Sequence, residues 1–167
     1  MLRLLAAPPV QHEVVVAVDD HCRMLKAVLA GSASVQAPIS IVICEDDERL
    51  AALVAELLDR DSRFTVVGTA RDGDAAVQLV EERSPDLVLM DIGMPGRDGI
   101  EATRAIHERD AEQHVVIYTG SDEYADVARA DEVGAVGYLH KRALTSPDLA
   151  DALHVLHTNY ASGTRDA

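Results

Sequence analysis

From Ile39 to Tyr160 the chain alternates short apolar runs with stretches of helical periodicity, five times over. This alternation constrains the fold more than any other feature. The runs Ile39–Cys44, Phe64–Thr69, Asp86–Met90, His114–Thr119 and Ala135–Leu139 are rich in Val, Ile and Leu and nearly free of polar interruptions. Strands of that kind are buried on both faces, as in a parallel sheet covered by helices. Between them, Glu48–Leu58 places Leu50, Leu53, Val54, Leu57 and Leu58 at helical spacing. A second helix is expected over Asp74–Arg83 and a third over Gly99–Arg109, where Ile100, Thr103, Ala105 and Ile106 form one side. A fourth is expected over Glu123–Glu132, stopped by Gly134. A fifth starts near Pro147 with Ser146 as its N-cap, and Leu149, Leu153, Leu156 and Tyr160 form its packing stripe. Right-handed crossovers leave few topologies for five such units. The leading one is an α/β doubly wound five-stranded parallel sheet in the flavodoxin-like order 2-1-3-4-5.

In open sheets of this type, ligands bind outside the carboxyl ends of the strands. Four of those ends carry chemistry: the pair Glu45-Asp46, then Asp91, Thr119 and Lys141. Each alone has a plain structural explanation. An acidic pair after a strand complements a helix N-terminus, Thr119 can be a sheet-end hydroxyl, and Lys141 a solvated surface lysine. Their joint occurrence at neighbouring strand tips makes a phosphoryl acceptor site assisted by Mg²⁺. Clustered carboxylates need a cation to stay ionised together. Mg²⁺ takes one or two carboxylates, keeps several waters and adds phosphate oxygens. Asp46 and Asp91 supply the carboxylates, Glu45 acts directly or through water, and Gly93 can turn its backbone carbonyl to the same pocket. Asp91 is then the nucleophile, with Lys141 as fixed positive charge and Thr119 as hydroxyl donor for the phosphoryl oxygens.

Residues 39–160 resemble a receiver domain of the two-component response regulators. The match is carried by Ile41–Asp46, Val66-Val67-Gly68-Thr69-Ala70, Pro85–Asp98 with Gly99-Ile100-Glu101-Ala102-Thr103, and Gly134–Lys141. The resemblance implies that Asp91 is the phosphoacceptor, that Glu45 and Asp46 bind the metal, and that Asp47 ranks below them. It implies that Thr119 and Tyr138 are the switch hydroxyl and switch aromatic. They remodel the surface of the fourth helix, fifth strand and last helix when Asp91 is phosphorylated. The implied partners are a sensor histidine kinase or phosphotransfer protein and a downstream protein docking on that surface. A homodimer is left open. Gly93 and Ser121 are small where the family tunes water access, which suggests a short-lived acyl phosphate. Two departures stand out: Arg142 follows Lys141 where many relatives carry proline, and the spacing from Asp91 to Thr119 is slightly short.

The remaining features set bounds. The chain of 167 residues carries 15 basic and 29 acidic side chains, a net −14. Such a field repels nucleic-acid backbones, so no direct nucleic-acid partner is expected. No apolar run reaches the roughly 18 residues of a membrane span, and the N-terminus is a poor secretory signal. Cys22 and Cys44 lack metal or redox spacing, so a reducing cytoplasm is the expected compartment.

Residues 1–38 fall outside the five units. Val14–Asp20 followed by His21–Ala30 reads as one more strand, acidic pair and helix, overlaying Ser40–Glu56 when shifted by 26 positions. This segment is either a degenerate βα copy or a non-essential extension, with Met24 as an alternative start. The linker Gly31–Pro38 is small and flexible in composition, and 161–167 form a tail. No output domain follows Tyr160 in this sequence, so a stand-alone receiver is expected, with no enzymatic activity beyond its own phosphorylation and dephosphorylation. Alternatives are a phosphorylation-independent scaffold or phosphate sink, and an aspartate-nucleophile phosphatase of the haloacid dehalogenase type. The last needs a second acid two residues after Asp91, where this chain has Gly93. His154 and His157 lie three apart on the last helix and could chelate a metal, but with no third ligand nearby in sequence a helix-end role suffices.

Overall fold

The computed structural model describes residues 37–120, 124–142 and 149–162. The strand and helix expected before residue 31, Cys22, Ser121 and the Ser146-Pro147 helix start lie outside these residues. Five strands, β1 (Ile39–Cys44), β2 (Phe64–Ala70), β3 (Leu87–Asp91), β4 (His114–Thr119) and β5 (Gly137–His140), alternate with five helices. These are α1 (Glu48–Asp59), α2 (Gly73–Arg83), α3 (Gly99–His107), α4 (Tyr124–Glu132) and α5 (Leu149–Ser162). The strands form one sheet in the order β2-β1-β3-β4-β5, parallel throughout.

Successive strand side chains point to opposite faces, so each apolar run feeds two cores. Val42, Cys44, Val88, Met90, Val115 and Ile117 pack with Ala76, Val80, Ile100, Ile106 and Ala130 of α2, α3 and α4. Ile41, Ile43, Leu87, Leu89, Val116 and Tyr118 pack on the other face with Val54 and Leu58 of α1 and with Leu149, Leu153 and Leu156 of α5. Aspartates start three of the helices. Asp47, Asp72 and Asp98 accept backbone N–H groups of α1, α2 and α3 in turn, satisfying donors that the helix itself cannot. Gly134 ends α4 at φ +81°, a conformation that costs glycine nothing. Gly99 answers to a different demand. A Cβ there would stand 1.9 Å from the Asp91 carbonyl oxygen, so only glycine lets α3 begin against the tip of β3.

Several expectations require correction. Leu53 is 42% exposed, while Val54 and Leu58 are buried as expected, together with Ala51. Tyr160 is also 42% exposed, lying edge-on to His114 at 5.8 Å rather than inside the packing stripe of α5. Strand β3 runs one residue later than expected. Asp86 is occupied in a side-chain bond, accepting from the Ser40 N–H at 2.8 Å and its hydroxyl at 2.6 Å, while Asp91 joins the ladder opposite Tyr118. Strand β5 begins at Gly137 instead of Ala135, and α3 ends at His107 instead of Arg109. There the His107 ring bridges the carbonyls of Val133 at 2.6 Å and Gln113 at 2.9 Å, tying the end of α3 to the end of α4.

Candidate functional site

Strand register assembles the site. Cys44 pairs with Met90, so Glu45 emerges level with Asp91. Asp91 pairs with Tyr118, and Tyr118 with Leu139. Thr119 and His140 therefore lie one step further out, and Lys141 one step beyond them. Four tips separated by up to 96 residues of chain converge at one edge of the sheet.

The carboxylates of Glu45, Asp46 and Asp91 each offer an oxygen within 4.8 Å of the others. Glu45 and Asp91 are buried, at 1% and 3% exposure, and Asp46 is open to solvent. Lys141 Nζ reaches between the two buried acids, 2.8 Å from Glu45 Oε2 and 2.9 Å from Asp91 Oδ2. Burial pushes the Lys141 pKa down, but hydrogen bonds and charge from Glu45 and Asp91 outweigh it, so the group stands above an ordinary lysine. One ammonium thus meets two buried carboxylates, with that of Asp46 beside them. Buried like charges repel strongly at this range, so the cluster carries an unmet demand for positive charge. Oxygen-only donors, two of them buried and one exposed, fit a hard divalent cation with part of its water shell retained. Asp47 has another use: its carboxylate accepts from Arg49 N at 2.8 Å and Leu50 N at 3.2 Å, and these bonds hold its pKa low.

Gly93 leaves the space beside Asp91 open, for a Cβ there would sit 3.5 Å from Asp91 Oδ2 in ordinary contact. Thr119 is buried at the end of β4, and Tyr138 packs in the core shared with α3 and α4. Among the described residues His154 and His157 belong to no group of three possible metal ligands. His157 Nδ1 meets His114 Nδ1 at 3.0 Å, while His154 lies in the field of Arg63, Asp61 and Asp151.

Sequence reasoning missed Tyr118. This fully buried residue donates its hydroxyl to Glu45 Oε2 at 2.7 Å and carries Lys141 Nζ over its ring, 5.2 Å from the centroid. A polar-headed aromatic in the otherwise aliphatic run Val115-Val116-Ile117, directly before Thr119, was the available signal.

A family model described as the response regulator receiver domain matches residues 41–154. Chemotaxis protein CheY of Halobacterium salinarum is 37% identical over 113 residues, covering 68% of this chain and 92% of that protein. The nitrate/nitrite response regulator protein NarL of Escherichia coli K12 is 36% identical over 119 residues, covering 71% of this chain and 55% of NarL. The chain therefore spans about half the length of that relative. Among solved structures, the signal receiver domain of the putative response regulator NarL from Mycobacterium tuberculosis superposes with a TM-score of 0.70 at 29% identity, covering 74% of this chain and 98% of that one.

Proposed function

This chain belongs to the response regulator receiver family, and from that membership we propose that it accepts a phosphoryl group on Asp91 in a Mg²⁺-dependent reaction. In this reading it signals by phosphorylation-dependent contact with another protein. One observation carries the proposal: Asp91 is a buried carboxylate at a strand tip, paired with Lys141 at 2.9 Å inside a cluster of acids that one lysine cannot neutralise.

The donor is the phosphohistidine of a sensor histidine kinase or phosphotransfer protein. An Asp91 carboxylate oxygen attacks phosphorus, the P–N bond breaks with its electron pair staying on the imidazole, and an aspartyl phosphate remains. Glu45, Asp46, Asp91 and the Gly93 carbonyl would hold Mg²⁺, which neutralises the acids and draws charge from the phosphoryl oxygens. Lys141 exchanges its contact with Asp91 for one with a phosphoryl oxygen, and its ammonium is already positioned there. Thr119 then donates its hydroxyl to the phosphoryl group, and the Tyr138 ring, already packed in the core, shifts with it. The face of α4, β5 and α5 responds. Helix α4 is suited to this, because Ala130 is buried while an exposed ion pair from Arg129 to Asp98 at 2.8 Å tethers its outer side.

Residues 39–160 are taken as the receiver and the cytoplasm as its compartment. Among the described residues no helix is long and apolar enough to cross a membrane. Gly93 puts no side chain beside Asp91 Oδ2, which supports a short-lived phosphorylated state. A half-life of many hours in magnesium buffer would sink that part.

The test is intact mass after incubation with acetyl phosphate and Mg²⁺. One added phosphoryl group is expected in the wild type and none in Asp91→Asn or with EDTA. No adduct in the wild type, together with no response to beryllofluoride, would reduce the protein to a receiver-like scaffold.

A further inference from the structure

Tyr118 touches both halves of the site from below. Its hydroxyl donates to Glu45 Oε2, and its ring underlies the Lys141 ammonium. The two Glu45 oxygens are crowded with donors. Oε2 takes the Tyr118 hydroxyl at 2.7 Å and Lys141 Nζ at 2.8 Å, while Oε1 takes Lys141 Nζ at 3.1 Å and Asp47 N at 3.2 Å. Lys141 is thus divided between Glu45 and Asp91, and in the proposed reaction it is needed at the phosphoryl group. A buried carboxylate that loses its principal donor is strongly destabilised and will turn toward water or recapture the cation. A neutral donor fixed in the core prevents both without adding positive charge that would oppose a metal.

We infer that Tyr118 is the positioning residue of the acidic cluster. Its hydroxyl holds Glu45 in its ligating orientation when Lys141 moves away, and so sets the divalent-cation affinity. This inference rests on the metal-binding reading above. One further feature supports it. Tyr118 pairs with Asp91 in the ladder, so backbone and hydroxyl are both referenced to the reacting residue.

The experiment measures Mn²⁺ binding to the full chain by loss of the free-ion EPR signal. The four proteins are wild type, Tyr118→Phe, Glu45→Gln and the double variant. Phenylalanine keeps the ring under Lys141 and removes only the hydroxyl. Donors that orient metal ligands are worth about tenfold or more in affinity, so the dissociation constant should rise about tenfold in Tyr118→Phe. In the Glu45→Gln background the same change should add less than about twofold, because the group that it positions is gone. The acetyl phosphate reaction should need about tenfold more Mg²⁺ for half-saturation, with its maximum rate retained. An unchanged Mn²⁺ constant in Tyr118→Phe overturns the inference, as does an equal loss in both backgrounds. If the wild type itself binds no Mn²⁺, the metal-site reading falls and the inference with it. Should Tyr118→Phe fail to fold, ¹⁹F NMR of the fluorotyrosine-labelled wild type gives the answer. The Tyr118 resonance should move with Mg²⁺ at the constant found by Mg²⁺ competition against Mn²⁺ in EPR, and a stationary resonance overturns the inference.

Discussion

The two ends of the sheet treat charge in opposite ways. At the carboxyl end, Glu45 and Asp91 share one ammonium, with the Asp46 carboxylate beside them. At the amino end, Asp86 is exposed, and its carboxylate is met by the Ser40 N–H and hydroxyl. Burial would raise the Asp86 pKa, but the Ser40 bonds outweigh it and leave the group below the usual carboxylate value. Beside it, His114 and His157 bond Nδ1 to Nδ1, which needs at least one neutral ring. One end is satisfied and holds strands together. The other gathers three acids around one lysine. Local residue types are similar at both ends; what differs is whether partners were supplied from within the chain.

Perturbing each end should therefore have separable consequences. The largest effect is expected from Lys141→Ala, which removes the fixed cation beside Asp91. Phosphorylation by acetyl phosphate should slow by about 100-fold or more, read as adduct formed against time, while the fold persists by circular dichroism. A rate within a factor of a few of wild type would place the essential charge elsewhere. Next comes Asp86→Ala, which unties the starts of β1 and β3. It should cost about 1–3 kcal/mol in urea denaturation and leave the phosphorylation rate unchanged. A loss of phosphorylation with stability intact would dissolve the distinction between the ends.

A smaller effect should appear with pH. Burial lowers the pKa of His114, with the His157 charge adding to it and Asp86 opposing. Burial likewise lowers that of His157, again against Asp86. Their folded-state values lie below the ordinary 6.5, so the unfolded chain takes up protons first as pH falls. The stability that they contribute is complete above about pH 6.5 and declines below it, toward the folded-state values. Denaturation midpoints at pH 7.5 and 5.5 should show this slope, and His157→Gln should flatten it. The Lys141 ammonium stays charged across the same window, so Mn²⁺ affinity should change less than stability. Smallest is Gly93→Leu, whose side chain would lie over Asp91 and is expected to lengthen the phosphorylated half-life. An unchanged half-life would mean that water reaches the acyl phosphate from another side.

Reading the chain alone captured the five βα units, because burial on both faces writes itself into the strands as unbroken apolar runs. The tips carrying Glu45, Asp46, Asp91 and Lys141 were legible for the same reason: a charged residue interrupts such a run only where the strand leaves the core. Leu53 and Tyr160 misled, since periodicity marks a helix face but cannot say how far the neighbouring layer extends over it. Asp86 was read as the first residue of β3 because its occupation by Ser40, 46 residues away, has no local signature.

Tyr118 marks the boundary most clearly. As a residue type in a strand it reads as core with a hydroxyl to place, and nothing local names the acceptor. Its bond to Glu45 spans 73 residues and exists because β3 lies between β1 and β4, with the register setting Glu45 and Tyr118 on either side of Asp91. Hydrophobic period and strand-end chemistry are local properties, and a sequence carries them openly. Which donor meets which buried carboxylate depends on sheet order, register and the face that each side chain takes, and those follow from packing the whole chain at once.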